Sequence, residues 1–166
     1  VRAMICTVAA KEPWWSQIKS CNYLQNVLMK QEVLAKGYDF GISVDGSGRL
    51  CEGSTENLMI LTKERELRVP RFDYTLRGTT MMVVMKIADQ FKDKLKLKSV
   101  GFADVQLEDL KAAQEAAFVG TTLGVLPIQS VNGHPIGGGR PGPTALSLNA
   151  ELIRRMNEDS SLRTPF

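Results

Sequence analysis

The sequence predicts an α+β fold, on three observations. Short apolar runs bounded by glycine, proline or charged turn residues crowd the middle of the chain. Longer segments with apolar residues at helical spacing lie between and after them. The chain shows no internal repeat and no low-complexity stretch, and 166 residues suit one domain with a sizeable core.

The elements follow in order. VRAMICTVA (residues 1–9) reads as a strand, and KEPWWSQ after it as an irregular loop. A helix is expected over residues 22–36, with Tyr23, Leu24, Val27, Leu28, Met29, Val33 and Leu34 at near-helical spacing and Gly37 as its stop. FGISVDGSGRLCEG reads as a hairpin, with strands over 40–44 and 49–51 around Asp45-Gly46-Ser47-Gly48. A second strand pair, 58–61 and 67–69, surrounds a charged turn, and Pro70 closes it. A helix over 80–92 carries Met82, Val83, Lys86 and Ile87 at helical spacing. LKSVGFADVQ is a strand, and LEDLKAAQE a short helix with acids in its first turn. AAFVGTTLGVLPIQSVNGHPIGGG reads as strand, break, strand and turn, and residues 142–159 as a closing helix.

Composition narrows the function. The net charge of +3 is mild and evenly spread, which argues against nucleic acid. The basic run KDKLKLKS alternates lysine with leucine and aspartate and reads as a solvated face. Cys6, Cys21 and Cys51 are odd in number and unpaired in spacing, so a reducing, cytoplasmic setting is expected and no metal site. The single histidine, His134, lies in a turn-forming stretch and reads as solvated. No apolar run is long enough to span a membrane. The chain opens on Val1 directly into a strand, so it is expected to be a piece of a longer polypeptide.

Three stretches combine small residues with hydroxyls at a break in regular structure: EGSTEN from Glu52, LRGTT from Leu76 and GTT from Gly120. Gly-Thr-Thr before a helix makes an anion seat, because glycine lets the backbone approach while free N–H groups and hydroxyls donate. Two such loops raise the case for a phosphate site. Glu52 ends a strand before small residues and reads either as an edge charge in solvent or as a carboxylate facing a cavity. Lys19 precedes the first helix and reads either as a solvated charge or as an amine over a pocket. A lysine, a carboxylate and a phosphate seat together suit pyridoxal phosphate, which needs an amine, an acid at its ring nitrogen and donors for its phosphate. Trp14 and Trp15 read as core or interface packing rather than as the lining of a substrate entrance.

These residues also carry a likeness. IKSCNYLQNVLMKQEVLAKGYDFGISVDGSGRLCEGSTENLMIL resembles the class IV pyridoxal-phosphate aminotransferases, a family of D-amino-acid and branched-chain aminotransferases and aminodeoxychorismate lyases. LRGTT resembles the family's Leu-x-Gly-Ile-Thr loop, and FVGTTLGVLPIQSVNGHPIGGGRPGP its Gly-Thr strand break and Pro-Ile-Gly-x-Gly turn. The resemblance covers nearly the whole chain. It implies a barrel-like mixed sheet with helices around it, as in the large, cofactor-holding domain of fold-type IV enzymes. It implies that Lys19 forms the Schiff base and shuttles the proton, that Glu52 pairs with the pyridine nitrogen, and that Leu76 packs on the ring. Gly78, Thr79, Thr80 and Thr121 are expected to bind phosphate, and Thr121 and Thr122 to lie near the substrate carboxylate. Tyr23 and Asn57 match family positions near the cofactor. Burial and a cationic ring are expected to lower the Lys19 pKa.

Two departures stand out. Met81 follows Thr80 where the family often has arginine, and the family's smaller N-terminal domain is missing. The implied function is a transaminase acting on an amino acid, D-configured or branched-chain, and a 2-oxo acid. A lyase releasing pyruvate and an inactive fragment that keeps only the fold are the alternatives. Only Ser20 and Cys21 separate Lys19 from Asn22-Tyr23, which resembles the D-amino-acid enzymes and some lyases, whereas PIGGGRPGPTALSL resembles the branched-chain tail. Gly-Thr-Thr at Gly120 favours a transaminase, since many bacterial lyases have Asn-Ala there. A homodimer is implied by the resemblance alone.

Overall fold

In the computed structural model, which describes residues 1–158, nine strands and five helices build two mixed sheets, and the class is α+β. In the first sheet β1 (Arg2–Ile5) lies between β2 (Phe40–Ile42) and β8 (Ser130–Val131), parallel to both, and β9 (His134–Pro135) pairs antiparallel with β8. The second sheet runs β5 (Ser99–Ala103), β4 (Glu66–Pro70), β3 (Asn57–Leu61), β6 (Glu115–Gly120), β7 (Gly124–Pro127). Its pairs are antiparallel except β4 with β5.

Parallel neighbours need a crossover, and the helices supply it. Between β1 and β2 run α1 (Pro13–Ser16) and α2 (Leu24–Ala35); between β4 and β5 runs α3 (Thr79–Gln90). A short α4 (Leu107–Ala112) precedes β6 and a long α5 (Pro143–Glu158) follows β9. Gly37, at φ +71°, ends the α2 segment as the sequence predicts.

The second sheet is covered on both faces, which is why LMIL (residues 58–61) is an unbroken apolar run. Side chains alternate across a strand, so Met59 and Leu61 of β3 pack with Met81, Val84 and Ile87 of α3 and Leu148 of α5. Leu58 and Ile60 turn to the other side, against Phe118 of β6, Ile42 of β2 and Val131 of β8. Met29 and Val33 of α2 close over Met4 and Cys6 at β1.

Several expectations are corrected. The opening strand spans four residues, not nine, because its last paired residue, Ile5, meets the end of β2 at Ile42. The loop after it contains the turn of helix α1. The expected 40–51 hairpin is kept only at its tip, where residues 43–45 pair with 49–52 around the turn through the Val44–Leu50 bridge and the Ser43–Cys51 and Ser43–Glu52 backbone bonds, because residues 40–42 pair with β1 instead. On α3 the fully buried positions are Met81, Val84, Ile87 and Ala88, whereas Lys86 is exposed. The helix begins at Thr79 and its register on the sheet, not the count of apolar residues, chooses the buried face. Met81 therefore belongs to the core, and its side chain is an apolar packing element where the family often has a cation. The closing helix reaches Glu158, and residue 159 of the expected range lies outside the described residues. On α2 only Asn26, Met29 and Val33 are buried, leaving Leu24, Val27, Leu28 and Leu34 as an exposed stripe.

Candidate active site

A cavity of about 290 Å³ opens where the start of α3, the loop 52–57, the α1–α2 connection and the end of β6 converge. Lys19, Tyr23, Glu52, Asn57, Leu76, Gly78, Thr79, Thr80 and Thr121 all line it, although they come from separate stretches of chain. Thr122 is not on that wall; it sits exposed in the β6–β7 turn, one residue beyond Thr121.

The loop after Leu50 is fixed by the backbone. The Ser43 amide and hydroxyl both donate to the Glu52 carbonyl at 2.9 Å, and Glu52 forms an isolated bridge with Asn57. Between them the Glu56 carboxylate accepts the Thr55 amide at 3.0 Å and the Gly53 amide donates to the Glu56 carbonyl at 2.7 Å. A Cβ at Gly53 would lie 2.4 Å from Glu56 Oε2, so a side chain there would displace the Glu56 carboxylate.

Two side chains from this loop clamp Leu76. Its amide donates to Glu52 Oε2 at 2.9 Å, and its carbonyl accepts from Asn57 Nδ2 at 2.9 Å. Gly78 then packs so closely on Asn57 that an added Cβ would lie 1.9 Å from Asn57 Oδ1. This fixes the entry to α3, whose N-cap is Gly78. The first amides of a helix have no intrahelical acceptor, and here that terminus borders the cavity. The Thr80 and Thr121 hydroxyls lie 3.0 Å apart, tying the helix start to the β6–β7 turn.

Glu52 is 9% exposed, and burial pushes its carboxyl up to about 7 against the pull of the Leu76 amide and the Lys11 ammonium; Glu56 adds to the rise. Lys11 Nζ stands 3.7 Å from Glu52 Oε1. Lys19, by contrast, is exposed at the rim of the cavity, so the burial expected for it is not present. The α1–α2 connection that carries it runs on the surface. Tyr23 is 42% exposed on the same rim. Trp14 is 74% exposed rather than packed in the core; Trp15, stacked on it with ring centroids 6.4 Å apart, lines the cavity.

Sequence reasoning missed Lys11, Asn26 and Glu56. Lys11 lies in a loop with no periodicity to mark it. Asn26 had a signal: it falls on the same helical face as Met29 and Val33, a polar residue among buried ones. Its Nδ2 donates to the Ser54 carbonyl, while its Oδ1 is, among the described residues, the one buried side-chain polar atom without a partner. A buried acceptor in a cavity wall waits for a donor.

The donor set fits pyridoxal phosphate. A carboxylate stands in the wall for a ring nitrogen, an amine at the rim for a carbonyl, and hydroxyls at a helix start for a phosphate.

Comparison with known proteins shows the family. A family model described as amino-transferase class IV matches residues 1–131. The D-amino-acid transaminase, chloroplastic, of Arabidopsis thaliana is 35% identical over 94% of this chain and 42% of its own length. A branched-chain-amino-acid aminotransferase of Pseudomonas aeruginosa is 33% identical over 76% of this chain and 39% of its own. Among solved structures, the branched-chain amino acid aminotransferase from Escherichia coli superposes with a TM-score of 0.83 at 29% identity, over 92% of this chain and 51% of that one. The chain thus spans about two fifths of those two relatives and about half of that structure.

Proposed function

This chain belongs to the amino-transferase class IV family, and from that premise we propose that it is the cofactor-holding domain of a pyridoxal-phosphate transaminase. The reaction moves an amino group between an amino acid, D-configured or branched-chain, and a 2-oxo acid. We read the chain as the C-terminal part of a longer polypeptide, whose remainder completes the substrate pocket. The observation that carries the reading is the convergence of Lys19, buried Glu52 and the Thr80–Thr121 hydroxyl pair on one cavity.

Bound there, the cofactor supplies an electron sink for charge developed at the substrate Cα. The residues of this chain hold and orient it. The Lys19 amine attaches the cofactor and carries the proton to and from Cα. Glu52 accepts from the protonated ring nitrogen. Leu76, held at both its amide and its carbonyl, presents a fixed apolar face to the ring. The Gly78–Thr80 segment and the Thr121 hydroxyl hold the phosphate at the start of α3, where the helix dipole favours an anion. The Thr121–Thr122 backbone borders the substrate carboxylate. Asn57 acts as a positioning residue through Leu76, and Tyr23 flanks the cofactor from the rim. A homodimer is part of the reading, supported by the exposed apolar stripe of α2. So is a reducing, cytoplasmic setting, supported by three free cysteines.

The test is an absorption titration with pyridoxal phosphate. A band of roughly 400–430 nm in the wild type, lost in Lys19→Ala, supports the reading. A band that survives the substitution sinks Lys19 as the attachment point. Product analysis of the loaded protein follows: pyruvate released without an amino acceptor would replace the transaminase by a lyase.

A further inference from the structure

We propose that Lys11 is a positioning residue for the cofactor site: its ammonium, paired with Glu52, holds that carboxylate ionised and ready to accept from a cationic ring. The proposal rests on the reading of Glu52 as the partner of the ring nitrogen. The pairing is seen directly, at 3.7 Å, between side chains that are 18% and 12% exposed. Lys11 comes from the loop after β1 and Glu52 from beyond β2, so the contact forms only in the folded chain. Within the cavity Lys11 is set against the carboxylate, whereas Lys19 stands exposed at the rim.

The reason such a partner is needed is local. Glu52 sits in the wall of the cavity, where loss of water favours the neutral acid. A neutral Glu52 brings no negative charge to a protonated ring. Burial opposes the carboxylate most strongly, the Leu76 amide and Lys11 favour it and Glu56 opposes it, leaving the group at about 7, while Lys19 and Arg77 line the same cavity. Lys11 is the cation paired with the carboxylate in that balance, so near neutral pH it raises the share of the site that carries the charge.

The test has two arms. In the first, the side-chain carboxyl carbon of Glu52, assigned with Glu52→Gln, is followed by 13C NMR against pH in the cofactor-free protein. Removing a cation raises a carboxyl's midpoint, so Lys11→Met should move it up by about one pH unit. Lys11→Arg should leave it within a few tenths of the wild type. A midpoint that stays put or falls in Lys11→Met overturns the proposal, whatever the protein binds. In the second arm the same proteins are titrated with pyridoxal phosphate at pH 7. A one-unit rise takes the ionised fraction from about a half to about a tenth, so affinity should drop about fivefold in Lys11→Met and recover in Lys11→Arg. Equal affinity overturns the claim that the charge serves the cofactor. If even the wild type gives no band, the function proposed above fails for this chain, and the NMR midpoint alone then rules on the pairing.

Discussion

Glu52 illustrates how a side chain suited to a ligand burdens the fold. Its carboxyl titrates at about 7 in the folded protein and near 4.5 when the chain is unfolded. The folded state therefore holds the proton more tightly, and stability declines as pH rises from about 4.5 to about 7. A glutamine there titrates in neither state. Urea unfolding should show Glu52→Gln gaining about 2–3 kcal/mol on the wild type between pH 5 and pH 8. A difference that is the same at both pH values would mean that Glu52 is not held neutral by burial. The cysteines respond to burial in the same way: it pushes the Cys6 thiol up to about 11 and the Cys51 thiol up to about 12, while Cys21 is exposed. Since the thiolate is the reactive form, a thiol reagent at pH 7.5 should label Cys21 in the native protein and reach Cys6 and Cys51 only after unfolding. Mass spectrometry of the labelled peptides reads this out.

At the scale of elements, two helix starts are secured by side chains from distant strands. The amides of Thr144 and Ala145, in the first turn of α5, donate to the Glu115 carboxylate of β6 at 3.0 and 2.8 Å. A carboxylate suits the positive end of the helix. Glu115→Ala should lower stability by about 2 kcal/mol, and Glu115→Gln by less, in denaturant titrations. At α3 the corresponding device is steric. Gly78 lies against Asn57, so Gly78→Ala must push that amide off the Leu76 carbonyl, at a cost of about 1–3 kcal/mol. Asn57→Ala already lacks that bond and relieves the clash, so the double variant should be more stable than the sum of the two single losses predicts. Simple additivity would show that the two positions are independent.

For the whole molecule, the sheets bury their apolar faces while α2 does not. Leu24, Val27, Leu28 and Leu34 stand between 45 and 66% exposed, and Trp14 and Ile18 are exposed as well. An exposed apolar stripe of that kind is what the proposed homodimer would bury. Sedimentation should show the chain self-associating as concentration rises, and Leu24→Glu with Leu28→Glu should leave it monomeric with an unchanged circular dichroism spectrum. A wild type that stays monomeric at the highest concentrations would remove the stripe as a self-association surface.

Fold class, most of the larger elements and the stretches that meet at the cavity were legible in the residue string, whereas α1, β8 and β9 were not. Apolar period, glycine stops and Gly-Thr-Thr loops are local signals, and they sufficed for the α2 and α3 helices and the β6–β7 hairpin. Which residues each signal served was settled by packing between elements. Packing assigned residues 40–42 to β1 rather than to a hairpin, turned Met81 into the core and Lys86 to solvent, and left Lys19 at the rim. It also brought Lys11 to Glu52 and set Asn26 in the cavity wall with an unpaired acceptor. The division has a physical cause: a helix or a turn is fixed by neighbours a few residues away, whereas burial and charge pairing depend on what other elements deliver across the sheets.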